Sequence, residues 1–217
     1  MTLLRTTAFI LTVFLLNIYE TKAQDSTHWI FSPALIGGIF PQFDYNLKEY
    51  NPLLIPYLPI SKGDFYGEVR YNYDRNATLG LYGGKSFVRG MKATHILTPQ
   101  LGALIGDYKG LSLQFYYNLI HPKVEFNLTN NYAFVFNERP DFYFNWTDIQ
   151  FPVFKRFRAG ATVQIFADEI IQTCDPGVLI GYRTEKLYLM LSSFNSWNAN
   201  KHYLFFAVQY ILKTKKQ

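Results

Sequence analysis

Ser192, Ser193 and Ser196 lie close upstream of His202, the one place in this sequence where hydroxyl nucleophiles and an imidazole base fall together along the chain. Acyl transfer needs such a pair, with a third group to orient the ring. No G-x-S-x-G elbow surrounds these serines, and no other catalytic signature does. His28, His95 and His121 are scattered, and neither an H-E-x-x-H pattern nor a close histidine pair offers metal-ligand spacing. Asp168, Glu169, Cys174 and Asp175 read as polar residues of one loop, 168–176. The single cysteine permits no internal disulfide, and its thiol reads as an inert loop group. The sequence therefore assigns no catalytic residue, no metal and no cofactor.

A second set of ionisable residues is more informative, because of where it falls. Glu68, Arg70, Glu125, Arg158 and Arg183 each occupy the polar parity of an alternating stretch. The clearest such stretch is 110–136. Leu111, Leu113, Phe115, Tyr117 and Leu119 alternate with Ser112, Gln114, Tyr116 and Asn118; after His121 and Pro122, Val124, Phe126, Leu128, Tyr132, Phe134 and Phe136 alternate with Lys123, Glu125, Asn127, Thr129 and Asn131. A period of two predicts strands with one apolar and one polar face.

The same pattern recurs along the chain. Trp29 to Phe40 reads as a first strand. Phe65 to Tyr73 and Ala77 to Gly84 form a hairpin about a turn at Asp74, Arg75 and Asn76. Strands follow around Leu97 to Ile105, Phe142 to Val153, Phe157 to Ile165, Gly177 to Arg183, Leu187 to Phe194 and Tyr203 to Leu212. Within Phe142 to Val153 the apolar parity changes between Trp146 and Ile149, which suggests a bulge. The segment 43–62 contains Pro52, Pro56 and Pro59, which cannot all sit inside a central strand; it reads as an edge-like strand with loops or as a segment packed into a pore. The strand count is 12 if that segment joins the wall and 10 if it does not.

Residues 1–23 read as a secretory leader: Arg5, a short apolar core from Ala8 to Ile18, and a small residue, Ala23, before the cut. The remaining chain, 24–217, reads as one domain. Its charge is mildly cationic (+5 for the whole chain) and forms no basic run apart from Lys213, Lys215 and Lys216, so nucleic-acid binding is not expected. Mean hydropathy is −0.04, too low for a helical membrane protein but suited to alternating strands.

An all-β chain of this kind is either a soluble sandwich or a closed transmembrane barrel. Aromatics make up 18% of the chain. Many of them, Tyr71, Tyr73, Phe115, Tyr117, Tyr132, Phe134, Phe142, Phe144 and Trp146, lie near strand ends, as interfacial girdles require. Charges deep in strands suit a wet lumen, and a sheet enters hydrocarbon only when closed. The fold expected is an up-and-down antiparallel transmembrane β-barrel of about 10–12 strands.

From leader to last strand the chain resembles the small outer-membrane β-barrel proteins of Gram-negative bacteria, the porin-like and OmpX- or OmpW-like families. The resemblance rests on the leader, the succession of hairpins and the amphipathic final strand Leu204, Phe206, Val208, Tyr210 and Leu212. It implies an outer-membrane location, contact with membrane lipid, and a structural or small-solute passage role without catalysis. Two other readings stand beside it: a lipid-modifying or hydrolytic barrel enzyme using His202 and a nearby serine, and a secreted soluble β-sandwich binding module. Oligomeric state is not readable. The lumen set reads as a structural ion-pair network, or, in an open pore, as a lining with weak anion preference. A charge at Leu113 or Phe126 is expected to impair insertion, and one at Gln114 to be tolerated.

Overall fold

The computed structural model describes residues 28–41 and 50–213. The leader, its cleavage position, the beginning of segment 43–62 and Lys215 and Lys216 lie outside the described residues.

Twelve strands form one closed antiparallel barrel. They are β1 (Ile30–Phe31 continuing as Ala34–Pro41), β2 (Tyr50–Lys62), β3 (Phe65–Tyr71), β4 (Thr78–Lys85 continuing as Phe87–Arg89), β5 (Thr94–Gly106), β6 (Gly110–His121), β7 (Val124–Val135), β8 (Phe142–Phe154), β9 (Phe157–Ala167), β10 (Gln172–Arg183), β11 (Leu187–Phe194) and β12 (Tyr203–Tyr210 continuing as Leu212–Lys213). Each pairs with its sequence neighbours. Closure comes from β12 against β1, in register from Leu204 opposite Ile39 to Gln209 opposite Ala34, and again at Lys213 opposite Ile30. The ring has no free edge, so the backbone polar groups of the wall find partners within it, which hydrocarbon demands.

Parity divides the wall as the alternation predicts. Leu35, Ile39, Leu54, Val69, Leu81, Leu101, Leu113, Phe134, Ile149, Phe151, Ile180 and Phe206 are exposed on the outer face, whereas Glu68, Arg70, Gln100, Ser112, Gln114, Glu125, Asn131, Gln150 and Thr162 are buried inside. The chain turns tightly at one end, over 63–64, 90–93, 122–123, 155–156 and 184–186. At the other end the described connections include longer ones, 72–77, 136–141 and 195–202.

Four expectations are corrected. The proline segment supplies β2, a wall strand paired on both sides: Pro52 lies opposite Ile39, Pro56 opposite Leu35 and Pro59 opposite Glu68. In an antiparallel ladder odd and even residues aim their backbone groups at opposite neighbours. Pro52 and Pro56 therefore subtract donors from one ladder and Pro59 from the other, so neither side loses all three. No bulge separates Trp146 from Ile149: β8 runs in unbroken register against β7 from Phe142 to Gln150, and the irregularity falls later, between Pro152 and Phe154. The apolar parity changes because Trp146 faces the interior while Ile149 faces out. Cys174 and Asp175 lie on β10 rather than in a loop, and Cys174 is exposed. Finally, only part of the girdle set faces outward. Tyr71, Tyr132 and Phe134 are exposed, but Tyr73, Phe142, Phe144 and Trp146 pack with the interior aromatic clusters.

Candidate functional site

Inside the barrel the loop-end half is filled and the turn-end half is hollow. The filled half is organised around Arg70. Alternation on β3 directs Tyr66, Glu68 and Arg70 inward together, and the loop 72–77 that follows folds back into the lumen instead of projecting from it. Arg70 donates through Nη1 to Glu68 Oε1 at 2.7 Å, through Nε to Asp74 Oδ2 at 2.9 Å and through Nη2 to Asp74 Oδ1 at 2.6 Å. Its guanidinium carbon lies 4.3 Å from the Tyr73 ring centroid and 4.0 Å from that of Tyr82. A planar fork stacked on aromatics and bonded to a carboxylate along two N–H bonds is a task for arginine and not for lysine.

The two carboxylates are saturated with donors from across the lumen. Asp74 Oδ1 accepts the Tyr82 hydroxyl at 2.9 Å and the Asn131 amide at 2.7 Å. Glu68 accepts Tyr57 at 2.7 Å, Tyr66 at 3.1 Å, Gln114 at 2.9 Å and Tyr116 at 2.8–2.9 Å. Strands β2, β3, β4, β6 and β7 thus converge on one buried layer. Gly102 on β5 leaves room for it, since a Cβ there would lie 2.3 Å from the Tyr82 ring.

Holding Asp74 inward requires an awkward backbone. Asn72 and Ala77 both have positive φ, 60° and 51°. For alanine this conformation costs about 1–2 kcal/mol, which the Asp74 contacts offset. The Asn72 side chain caps the loop by accepting the Ala77 N–H at 2.8 Å. The next residue, Arg75, pairs with Asp168 of loop 168–171 and stacks over Phe166. Burial alone would raise the Asp168 carboxyl, but N–H donation from Ile171 and Ile170 and the Arg75 guanidinium outweigh it and hold it below the ordinary range. The contact to Arg75 is therefore fully charged at neutral pH and is lost as pH falls through that lowered value.

Of the five lumen residues named from sequence, Glu68 and Arg70 belong to this layer. Glu125, Arg158 and Arg183 form a separate cluster toward the turn end. Arg183 Nη1 lies 2.8 and 2.9 Å from the two Glu125 oxygens, and Arg158 Nη2 lies 3.1 Å from Oε1. Two guanidinium groups share one carboxylate, so this cluster carries net positive charge.

Between the two clusters is a cavity of about 450 Å³ that reaches from Tyr57, Tyr73 and Trp146 at its ceiling to Gly63 in a turn-end connection. Charge is distributed unevenly along the barrel axis. Among the described residues the turn end carries Lys62, Lys85, Arg89, Lys92, Lys123, Lys155, Arg156 and Lys186 against Asp64 and Glu185. The loop end carries Asp107, Glu138, Asp141, Asp168, Glu169 and Asp175 against Arg75, Lys109, Arg139 and Lys201.

The serine–histidine grouping is real in space. Ser193 Oγ lies 2.9 Å from His202 Nε2 and 2.7 Å from Ser196 Oγ, beside loop 195–202. Among the described residues no protein group bonds the other ring nitrogen, so nothing orients the imidazole as a general base requires.

No protein-family profile matches the chain, and no curated protein sequence does. Solved structures do. A KdgM porin superposes with a TM-score of 0.54 at 12% identity, covering 82% of this chain and 98% of its own. A second structure, KdgM porin in complex with disordered oligogalacturonate, gives 0.53 at 12% identity with the same coverage. The fold is that of a porin barrel. At this level of identity the likeness extends to architecture alone. Within this porin fold the residues missed from sequence are Asp74, Tyr57, Tyr66, Tyr116, Asn131 and Gln114. Strand parity placed several of them inside, but no local pattern says that a turn aspartate folds inward.

Proposed function

We propose that the protein is an outer-membrane barrel, exported by its N-terminal leader, that lets small polar solutes pass through its lumen and catalyses nothing. One observation carries this reading: the hollow lined by polar and aromatic side chains, open toward the turn end and stopped by a layer of wall side chains that the folded-in loop 72–77 completes through Tyr73 and Asp74. Such a layer is held by side-chain hydrogen bonds and ion pairs, which can rearrange without any wall strand leaving the ring. The layer around Arg70 is then the constriction. The porin fold supports the reading, as does the sugar polymer in the complex of the KdgM porin.

The axial charge gradient adds direction. Anions are drawn to the basic turn-end mouth and cations to the acidic loop end, so current is expected to differ with the sign of the voltage, most strongly at low salt, where screening is weak. The five sequence-named residues act in two ways on this reading: Glu68 and Arg70 close the path, while Glu125, Arg158 and Arg183 set the charge of its inner mouth.

The test is reconstitution. Proteoliposomes containing the folded chain are expected to swell in isosmotic solutions of small sugars and amino acids faster than protein-free vesicles, with the rate falling as solute size rises. In cells, the protein should fractionate with outer membranes and change gel mobility on boiling. Swelling no faster than in protein-free vesicles would overturn the passage role. Recovery in the soluble fraction would overturn the membrane location.

A further inference from the structure

The lumen cavity carries the groups of a binding site. Trp146 lines it, with its indole held at the edge by donation from Nε1 to Asp148 Oδ1 at 2.9 Å and Thr162 Oγ1 at 3.0 Å. Tyr57 and Tyr73 line the same ceiling, stacked with ring centroids 6.0 Å apart. Rigid aromatic surfaces of this kind suit the C–H face of a pyranose ring, as they suit other flat apolar faces. Polar groups converge beside them. The side-chain amides of Asn118, Asn127 and Gln209 line the cavity, and among the described residues no protein group engages them. Asp148 is buried and accepts the Trp146 indole through Oδ1, with Thr162 as a further hydrogen-bond partner of its carboxylate. Unengaged amides and a carboxylate oxygen offer both donors and acceptors, the combination that matches vicinal hydroxyls.

Charge decides which hydroxyl-rich molecule fits. The guanidinium nearest the cavity, Arg183, stands toward the mouth and is already bonded to both oxygens of Glu125. Deeper in, the ionisable group that lines the cavity beside Trp146 is the carboxylate of Asp148. An anionic sugar would bring a second negative charge against it in a poorly solvated space, whereas a neutral one would donate a hydroxyl hydrogen bond to it. A volume of about 450 Å³ lies in the range of roughly 300–1,000 Å³ usual for small-molecule sites. We propose that the cavity binds a neutral mono- or disaccharide, entering from the turn end and held between the Trp146 and tyrosine surfaces and the carboxylate of Asp148. The proposal rests on the reading of the lumen as a solute path, and binding is measured separately from passage.

The experiment is calorimetric titration of the detergent-solubilised full-length barrel with maltose, glucose and digalacturonate, alongside potassium chloride conductance of the same preparation. Weak, saturable maltose or glucose binding is expected, tighter than that of digalacturonate. Asp148→Asn should weaken it about tenfold or more, since a charge-assisted hydrogen bond is lost, and Gln209→Leu, on β12, by several-fold. Heat-modifiable mobility confirms that each variant is folded. A barrel that conducts salt but binds neither neutral sugar overturns the site, as does one that binds digalacturonate more tightly. Unchanged maltose affinity in both folded variants also overturns it. A barrel that binds maltose but passes no salt keeps the site and overturns only the passage reading.

Discussion

Arg70→Met is expected to lower the stability of the folded barrel by about 3–5 kcal/mol, read as a fall in the urea midpoint at which the unboiled protein loses its folded gel mobility. The magnitude follows from what the substitution leaves behind. Arg70 is 1% exposed, and it is the cation bonded to Glu68 and Asp74. Without it, two carboxylates face each other in an interior that offers them neutral donors but no counter-charge. The cost is that of stranded charge, so it should be largely reversible: adding Glu68→Gln and Asp74→Asn to Arg70→Met removes both orphan charges and should recover most of the stability. If the single substitution leaves the midpoint unchanged, the layer is not a buried ion network.

The second large effect concerns the face a residue presents. Leu113 is 53% exposed on the outer wall and Gln114, its chain neighbour, is 3% exposed inside. Leu113→Arg places a charge in hydrocarbon at about 2–4 kcal/mol near the membrane centre, and the folded, outer-membrane fraction should fall steeply. The interior position does not tolerate charge indiscriminately, as the alternation alone suggested. Gln114 Nε2 donates to Glu68 Oε1 at 2.9 Å. A glutamate there would meet Glu68, whereas a lysine would take over the donation. Gln114→Lys should therefore assemble nearly as well as the native chain, and Gln114→Glu should not. Equal behaviour of Leu113→Arg and Gln114→Lys would invert the assignment of faces.

These contrasts show what the sequence could and could not convey. The alternation of Leu111 to Leu119 with Ser112 to Asn118 reported the wall, and with it which residues face in, because parity is a local property of a strand. Closure, strand number and the role of the proline segment are collective: β2 could be placed only once its partners on both sides were known. Trp146 misled for a related reason. A large aromatic on a barrel strand fits a girdle or a lumen equally well, and only the pairing of β8 with β7 and β9 decides between them. Asp74 was least legible. Nothing in an Asp-Arg-Asn turn announces that it folds inward, since its partners Arg70, Tyr82 and Asn131 come from three different elements. The Ser193 and His202 pair shows the converse, for the grouping visible along the chain does meet in space, but among the described residues no third group orients the ring.

The most direct test of the lumen as a constricted solute path is single-channel conductance in planar bilayers, comparing the native chain with the combined variant Glu68→Ala, Arg70→Ala, Asp74→Ala. That variant removes the ionised centre of the layer without stranding a charge. The native barrel should show a small conductance and the folded variant one several-fold larger, with the turn-end mouth unchanged. A folded variant that conducts no more than the native barrel would contradict the account, because the Arg70 layer would then not be what limits passage.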